Sequence, residues 1–218
     1  MGAEDFIIAD FQQQYEEYRR SEASRIRYVE YYITLLTAIV AFYGVIIKWK
    51  GLPVEDYRIA GLMAFILFLV GEIGRRLVQI LVSTRIAQLL TFEYIRRLRE
   101  YFFNNKAETV LKYCKIAMAE KWFDKKSHAI RLIFLVLLLS SLAFSVATYQ
   151  LIRFIMLVMP NFSFKPILTG WKDSIGLASA LGVFCIYYLY YKNQIIKEFE
   201  KKEKEIKEKL KKHKISAG

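Results

Sequence analysis

The sequence predicts an all-α membrane protein with four transmembrane helices, a cytoplasmic helical hairpin and helical N- and C-terminal extensions. Of its 218 residues, 55% are apolar and 25% are charged, and the two kinds are separated into blocks. Four blocks carry no charge at all: residues 31–47, 59–71, 132–152 and 174–191. A helix needs about 20 mostly apolar residues to cross a bilayer core of about 30 Å, so these blocks and their flanks predict four spans.

The composition excludes two other classes of protein. An aromatic content of 16% is too high for an intrinsically disordered chain. Two cysteines are too few for a secreted domain held together by disulfides. The first apolar block comes after a long charged segment, and no convincing small-residue cleavage site follows the block. We therefore expect it to remain as a span rather than act as a signal peptide.

The charge pattern divides the chain into five parts. Residues 29–81 and 129–191 each hold two transmembrane helices. The other parts are a cytoplasmic N-terminal helix, a cytoplasmic helical hairpin and a charged helical tail: residues 1–28, 82–128 and 192–218. No proline separates the N-terminal helix from the first span, so we expect one continuous helix or a bent pair. Asn104 and Asn105 mark the turn of the hairpin.

The distribution of basic residues predicts the orientation. Outside the spans, 24 of 30 Lys and Arg residues lie in the N-terminal helix, the hairpin and the tail. The positive-inside rule places these three parts, with both termini, on the cytoplasmic side of the membrane. Tyr28, Tyr31 and Tyr32 are then expected at the inner membrane interface, where amphipathic rings are favoured.

No catalytic or metal-binding motif is present in the sequence. There is no Walker loop, no G-x-G-x-x-G motif and no cluster of Cys and His with metal-ligand spacing. We therefore expect no enzyme, no cofactor and no metal site. Cys114 is predicted in the cytoplasm and Cys185 in the membrane, so we expect both to be unpaired packing residues.

The second span carries ionisable residues deep in the predicted membrane. Glu72 lies 13 residues after Ile59, which is about 20 Å of helix. A carboxylate at that depth is costly unless it is paired or wetted. One interpretation is a local ion pair with Arg75 or Arg76 that serves only to neutralise charge. The other interpretation is the wall of a pore.

The pore interpretation rests on helical spacing. One face of the second span carries a polar stripe that continues outward as two phenylalanines: Glu72, Arg76, Gln79 and Ser83, then Phe68 and Phe65. This pattern is typical of a pore wall with an apolar constriction. One helix cannot enclose a channel, so a pore requires a homo-oligomer. The alternatives are a small transporter and a membrane anchor that recruits a cytoplasmic partner.

The third and fourth spans carry features of helix packing. In the fourth, small residues recur at four-residue spacing, as Gly176 with Ala180 and as Ala178 with Gly182. In the third, three hydroxyl side chains share one side, and we expect each to bond to its own helix backbone: Ser141, Ser145 and Thr148.

A basic and aromatic cluster precedes and follows the hairpin turn. Its members are Arg96, Arg97, Arg99, Tyr101 and Lys106. Arginines with stackable aromatic rings favour a nucleotide or oligonucleotide ligand. The alternative is attraction of juxtamembrane cations to anionic lipid, with the aromatic rings packed inside the hairpin.

The segment YEEYRRSEASRIRY, feeding into YYITLLTAIVAFYGVI, resembles the SLATT-type membrane effectors of bacterial anti-phage defence. The arrangement of spans around a hairpin is also similar to the channel subunit of Hailong systems. The resemblance covers residues 1–103 best and is architectural. It implies an oligomeric channel, with a tetramer favoured, that depolarises the inner membrane on infection. It also implies control by a single-stranded oligodeoxyadenylate made by a partner nucleotidyltransferase.

Overall fold

The computed structural model describes residues 3–50, 57–103, 127–158 and 171–215, and these form four helices. The helices are α1, α2, α3 and α4: Ala3–Lys50, Tyr57–Phe103, His128–Val158 and Trp171–Ile215. At about 1.5 Å per residue, each is longer than a membrane is thick. The predicted N-terminal helix and first span form one continuous helix, and the tail is helical as predicted. Residues 104–126 of the predicted hairpin lie outside the described residues.

Three of the helices are long and apolar enough to cross a membrane, among the residues that the structure describes. These are Gln12–Val45 within α1, all of α3, and Ser174–Glu205 within α4. The finding confirms that the described residues are helical and that three of their helices have the length and composition of membrane spans. Helix α2 is not among the three, and its apolar block is followed by Glu72, Arg75 and Arg76.

The chain divides into two compact units, and all four helices contribute to both. The first unit holds α1 up to Arg27, α2 from Ile80, α3 up to Leu132 and α4 from Gln194. The second unit holds the rest: Tyr28–Gln79 and Ile133–Asn193. These boundaries fall within four residues of the membrane boundaries that the charge pattern predicts.

The second unit is organised around α3. In an apolar 18-residue stretch of α3, 56% of the residues are buried, against 11% in the corresponding stretches of α1 and α4. Buried residues on α3 recur every three or four positions, which is the spacing of one helical face: Ile133, Val136, Leu137, Ser140, Ala143 and Ala147. They share the core with a similar face of α2: Met63, Leu67, Val70, Leu77 and Val78.

The first unit has its own apolar core. Helix α4 contributes Ile195 and Phe199, and Phe199 is completely buried. Helix α2 contributes Leu81, Val82, Ile86 and Leu89. The described part of the tail therefore packs through Ile195 and Phe199, and the charged residues between and beside them are exposed: Lys197, Glu198, Glu200 and Lys201.

Candidate functional site

The Glu72 segment of α2 is positioned by a close approach of α3. Ser140 Oγ donates a hydrogen bond of 2.8 Å to the carbonyl of Gly71. A Cβ at Gly71 would lie 2.8 Å from the ring of Phe144. Real Cβ atoms do not come that near, so the two helices can approach this closely only because residue 71 is glycine. This contact fixes the rotation of α2 and places Glu72 at the rim of the packed face.

Helix α1 approaches the same segment of α2 through Tyr32. The Tyr32 hydroxyl donates a hydrogen bond of 3.2 Å to the carbonyl of Val70, and its ring lies against Gly74. Tyr32 is buried, with 3% of its surface exposed. The expectation that Tyr32 is an interfacial anchor is therefore wrong, because its hydroxyl is satisfied by a backbone carbonyl inside the unit.

Glu72 forms ion pairs with both of the arginines that the sequence left open. Arg75 Nε donates to Glu72 Oε2 at 2.7 Å, and Arg75 Nη2 donates to Oε1. Arg76 Nε donates to Oε1 at 3.3 Å. Arg75 is thus the two-pronged partner and Arg76 the weaker one. One carboxylate between two guanidinium groups leaves an excess of one positive charge.

This charged cluster is not enclosed by the second unit. The exposed fractions of the side chains are 36% for Glu72, 20% for Arg75 and 68% for Arg76. Gln79, Phe68 and Phe65 are also exposed, so the predicted stripe follows the outer side of the unit. Ser83 belongs to the first unit, where it is exposed and donates to the carbonyl of Ile80 at 2.9 Å. The structure therefore places the six stripe residues at the surface of a single chain.

The two phenylalanines border an apolar cavity of about 760 Å³ within the second unit. Phe68 packs edge-on against Phe144, with the ring centroids 5.4 Å apart. The cavity is lined by α2, α3 and α4, including Gly61, Phe154 and Tyr187. Its wall thus includes both proposed gate residues.

Contacts between α3 and α4 correct one prediction. Ser141 and Thr148 donate to their own helix, at the carbonyls of Leu137 and Phe144, as expected. Ser145 instead donates to the carbonyl of Ala180 on α4, at 2.8 Å. The expectation for Ser145 was wrong because the small Ala180 brings the α4 backbone within reach of its hydroxyl.

The two small-residue faces of α4 have different environments. Gly176 is buried against the ring of Tyr149, and Ala180 is buried beside Ser145. Ala178 is exposed, and a Cβ at Gly182 would meet nothing within 4 Å. One face therefore packs inside the unit, and the other is open. Cys185 is also exposed, so the expectation that it is a packing residue was wrong.

The predicted ligand cluster is not described by the structure. Arg96, Arg97, Arg99 and Tyr101 lie on the backbone of α2, but their side chains are outside the described residues, as is all of Lys106. The cluster remains a prediction. Among the residues that are described, no group of three or more His, Cys, Asp or Glu side chains could hold a metal ion.

A buried basic cluster in the first unit was missed by the sequence analysis. Arg25 of α1 and Arg85 of α2 have only 4% and 3% of their surfaces exposed. A signal was present, because Arg25 continues the apolar face of α1 at four- and seven-residue spacing from Val29 and Tyr18. An arginine inside an apolar stripe indicates a buried charge.

In comparisons with known proteins, no protein-family model, curated protein or solved structure matches this chain.

Proposed function

We propose that the protein is a homo-oligomeric ion channel with four transmembrane helices per chain. The observation that carries the proposal is the exposure of the Glu72, Arg75 and Arg76 cluster on the outer side of the second unit.

Two hydrogen bonds support α2 as the fourth span. Val70 of α2 accepts from Tyr32, which lies inside the α1 span, and Gly71 accepts from Ser140, inside the α3 span. Two neighbouring residues of α2 are thus held between two helices that are long and apolar enough to cross a membrane. A segment held in this way shares their layer, although its composition is less apolar than theirs.

A membrane-embedded α2 cannot turn its charged side toward lipid. A charged side chain in the hydrocarbon region costs about 3 kcal/mol or more. The ion pairs of Glu72 with Arg75 and Arg76 reduce this cost. They leave one positive charge without a negative partner and the Glu72 carboxylate partly exposed. Long arginines reach the headgroups more easily than Glu72 does. Water in a lumen, or the same face of another copy, would satisfy the cluster, and symmetric copies around an axis provide both.

The same face supplies a gate in this proposal. Phe65 and Phe68 are exposed and lie about two turns and one turn, respectively, from Glu72 toward the predicted outer side. A ring of phenylalanines from several copies would be dry, and ions resist entering because they must shed water there. Glu72 and the arginines below the ring would then set the charge of the lumen.

The setting of the channel is proposed from the resemblance and the orientation from the charge pattern. Both termini face the cytoplasm of a bacterium, and opening depolarises the inner membrane in anti-phage defence. A nucleotide or oligonucleotide, such as oligodeoxyadenylate from a partner nucleotidyltransferase, would control the gate from the cytoplasmic side.

Planar-bilayer recording of the purified protein tests the pore. The double variant Phe65→Ser and Phe68→Ser is expected to conduct without a trigger, because the apolar ring becomes wet. Phe42→Ser is the matched control, since Phe42 is equally exposed but lies on α1. Glu72→Gln is expected to shift the reversal potential toward anion selectivity. A silent double variant, together with an unchanged reversal potential in a folded Glu72→Gln oligomer, would remove α2 from the pore axis.

A further inference from the structure

Two of the described arginines, Arg25 and Arg85, are buried in the first unit, on α1 and α2. We propose that Arg25 and Arg85 form a binding site for a phosphate group there. This inference rests on the first unit alone and does not depend on the second unit forming a pore.

The register of α1 against α2 brings the two arginines together. The rings of Tyr18 and Phe92 lie 4.5 Å apart, and Gln88 Nε2 donates to Ser21 Oγ at 3.1 Å. These contacts show antiparallel helices. One turn further along α1 from Ser21, and one turn back along α2 from Gln88, Arg25 lies opposite Arg85. Burial lowers the pKa of Arg25, and the positive charge of Arg85 lowers it further.

The guanidinium group of Arg25 is poorly compensated. Among the described residues it forms one ion pair, from Nη2 to Glu22 Oε1, at the long distance of 3.9 Å. Its Nε and Nη1 atoms are buried and have no hydrogen-bond partner within the described parts of the chain. A buried cation with unsatisfied donors is destabilising. A bound anion that accepts from these two donors would remove the penalty.

An anion between two arginines would satisfy these donors. Guanidinium groups bind phosphate through paired, charge-assisted hydrogen bonds, and a second arginine adds to the attraction. Gln88, one turn from Arg85, has its Oε1 atom buried, and no described residue donates to it. A hydroxyl beside the phosphate would supply that donor. The chemistry therefore fits a phosphate ester that carries a neighbouring hydroxyl group.

The position of the site suggests where the phosphate comes from. Arg25 lies about one helical turn before the predicted membrane boundary at residue 28, and Arg85 about one turn after the boundary at residue 82. That is the level of lipid headgroups, which carry phosphate esters at the cytoplasmic surface. A soluble phosphate compound can reach the same level from the cytoplasm. Both sources present the same group to the arginines.

The test uses the full chain in nanodiscs and measures its melting temperature. In one arm the lipid is neutral phosphatidylcholine, and inorganic phosphate is titrated against chloride at constant ionic strength. In the other arm phosphatidylglycerol, which carries a phosphate and free hydroxyls, is included in the nanodiscs without free phosphate. The variant is Arg25→Met. The matched control is Arg27→Met, two residues away on the exposed side of α1.

The melting temperature of the wild type and of Arg27→Met is expected to rise in at least one arm, because a ligand that binds the folded state stabilises it. The apparent affinity of Arg25→Met should fall about tenfold or more. A response to phosphatidylglycerol alone identifies a lipid headgroup, and a response to inorganic phosphate identifies a soluble ligand. Arg25→Lys, which keeps the charge but loses the paired contact, replaces Arg25→Met if the latter does not fold.

Two results would overturn the proposal. One is a wild type whose melting temperature rises in neither arm. The other is an equal response of the Arg25 and Arg27 variants, which would assign the effect to general attraction of cations to anions. Neither result bears on channel activity, so the phosphate site and the pore can fail separately.

Discussion

The two units of this protein treat buried polar groups in opposite ways. In the second unit, buried hydroxyls of Tyr32, Ser140 and Ser145 donate to backbone carbonyls of neighbouring helices, and the charged cluster is left at the surface. In the first unit, two guanidinium groups are buried, and Arg25 has two donors without a partner among the described residues.

The difference indicates two kinds of environment. Neutral hydroxyls bonded to carbonyls suit a core surrounded by lipid, where every polar group needs an internal partner. The hydroxyl of Tyr187, which is buried without a hydrogen-bond partner in the described residues, departs from this pattern. The buried Arg25, with two donors unsatisfied among the described residues, suits a unit that meets water, headgroups or a ligand at its edge.

The largest expected effect tests the predicted orientation of the chain in the membrane. In a variant lacking Cys114 and Cys185, cysteines are introduced singly at Asn104 and Asn161. A membrane-impermeant thiol reagent added from outside should label position 161 and not position 104, because the basic segments remain in the cytoplasm. The converse labelling pattern would reverse the orientation.

The next effect tests close packing in the second unit. Gly74→Ala is expected to lower the free energy of unfolding by about 1–3 kcal/mol through overpacking. Its Cβ would meet the hydroxyl of Tyr32 and lie 2.8 Å from the Cβ of Ser140. Gly182→Ala is the control and should be neutral or stabilising by about 0.5 kcal/mol, since its Cβ enters open space. Unfolding in mixed micelles measures both, and equal effects would contradict the close approach.

A smaller effect is expected from the contact between α1 and α2. Tyr32→Phe removes the hydroxyl that donates to Val70 and should cost about 1 kcal/mol of unfolding free energy. Tyr31→Phe is the neighbouring control and should cost almost nothing, because Tyr31 is 68% exposed. If the Tyr31 variant were the less stable of the two, the hydrogen bond from Tyr32 to Val70 would not contribute to stability as described.

The smallest effect separates two hydroxyls on α3. Ser145→Ala breaks a bond between helices and is expected to cost about 0.6 kcal/mol, the average for such bonds in membranes. Ser141→Ala breaks a hydrogen bond within α3 and should be close to neutral, because the carbonyl of Leu137 still accepts a backbone hydrogen bond inside the helix. Identical unfolding curves for the two variants would argue against the contact with α4.

Local features were predictable from the sequence, and contacts between helices were not. The continuity of α1 and the pairing of Glu72 with Arg75 or Arg76 depend on neighbours within one turn or on the absence of a helix breaker. The partners of Tyr32 and Ser145 lie 38 and 35 residues away. Helical periodicity identifies a face but not the element that covers it. Arg25 shares a face of α1 with Tyr18 and Val29, but that spacing does not identify α2 as the helix that covers the face.

The ion pairs of Glu72 have a consequence for biosynthesis in the four-span arrangement that we propose. Both of its partners lie three and four residues later on the same helix, so the pairs form as soon as that turn of α2 is synthesised. The central helix α3 is translated later and cannot shield the carboxylate at that stage. A nascent hairpin of α1 and α2 would therefore enter the translocon with its most expensive carboxylate already partnered, which lowers the cost of inserting α2 before the rest of the bundle exists.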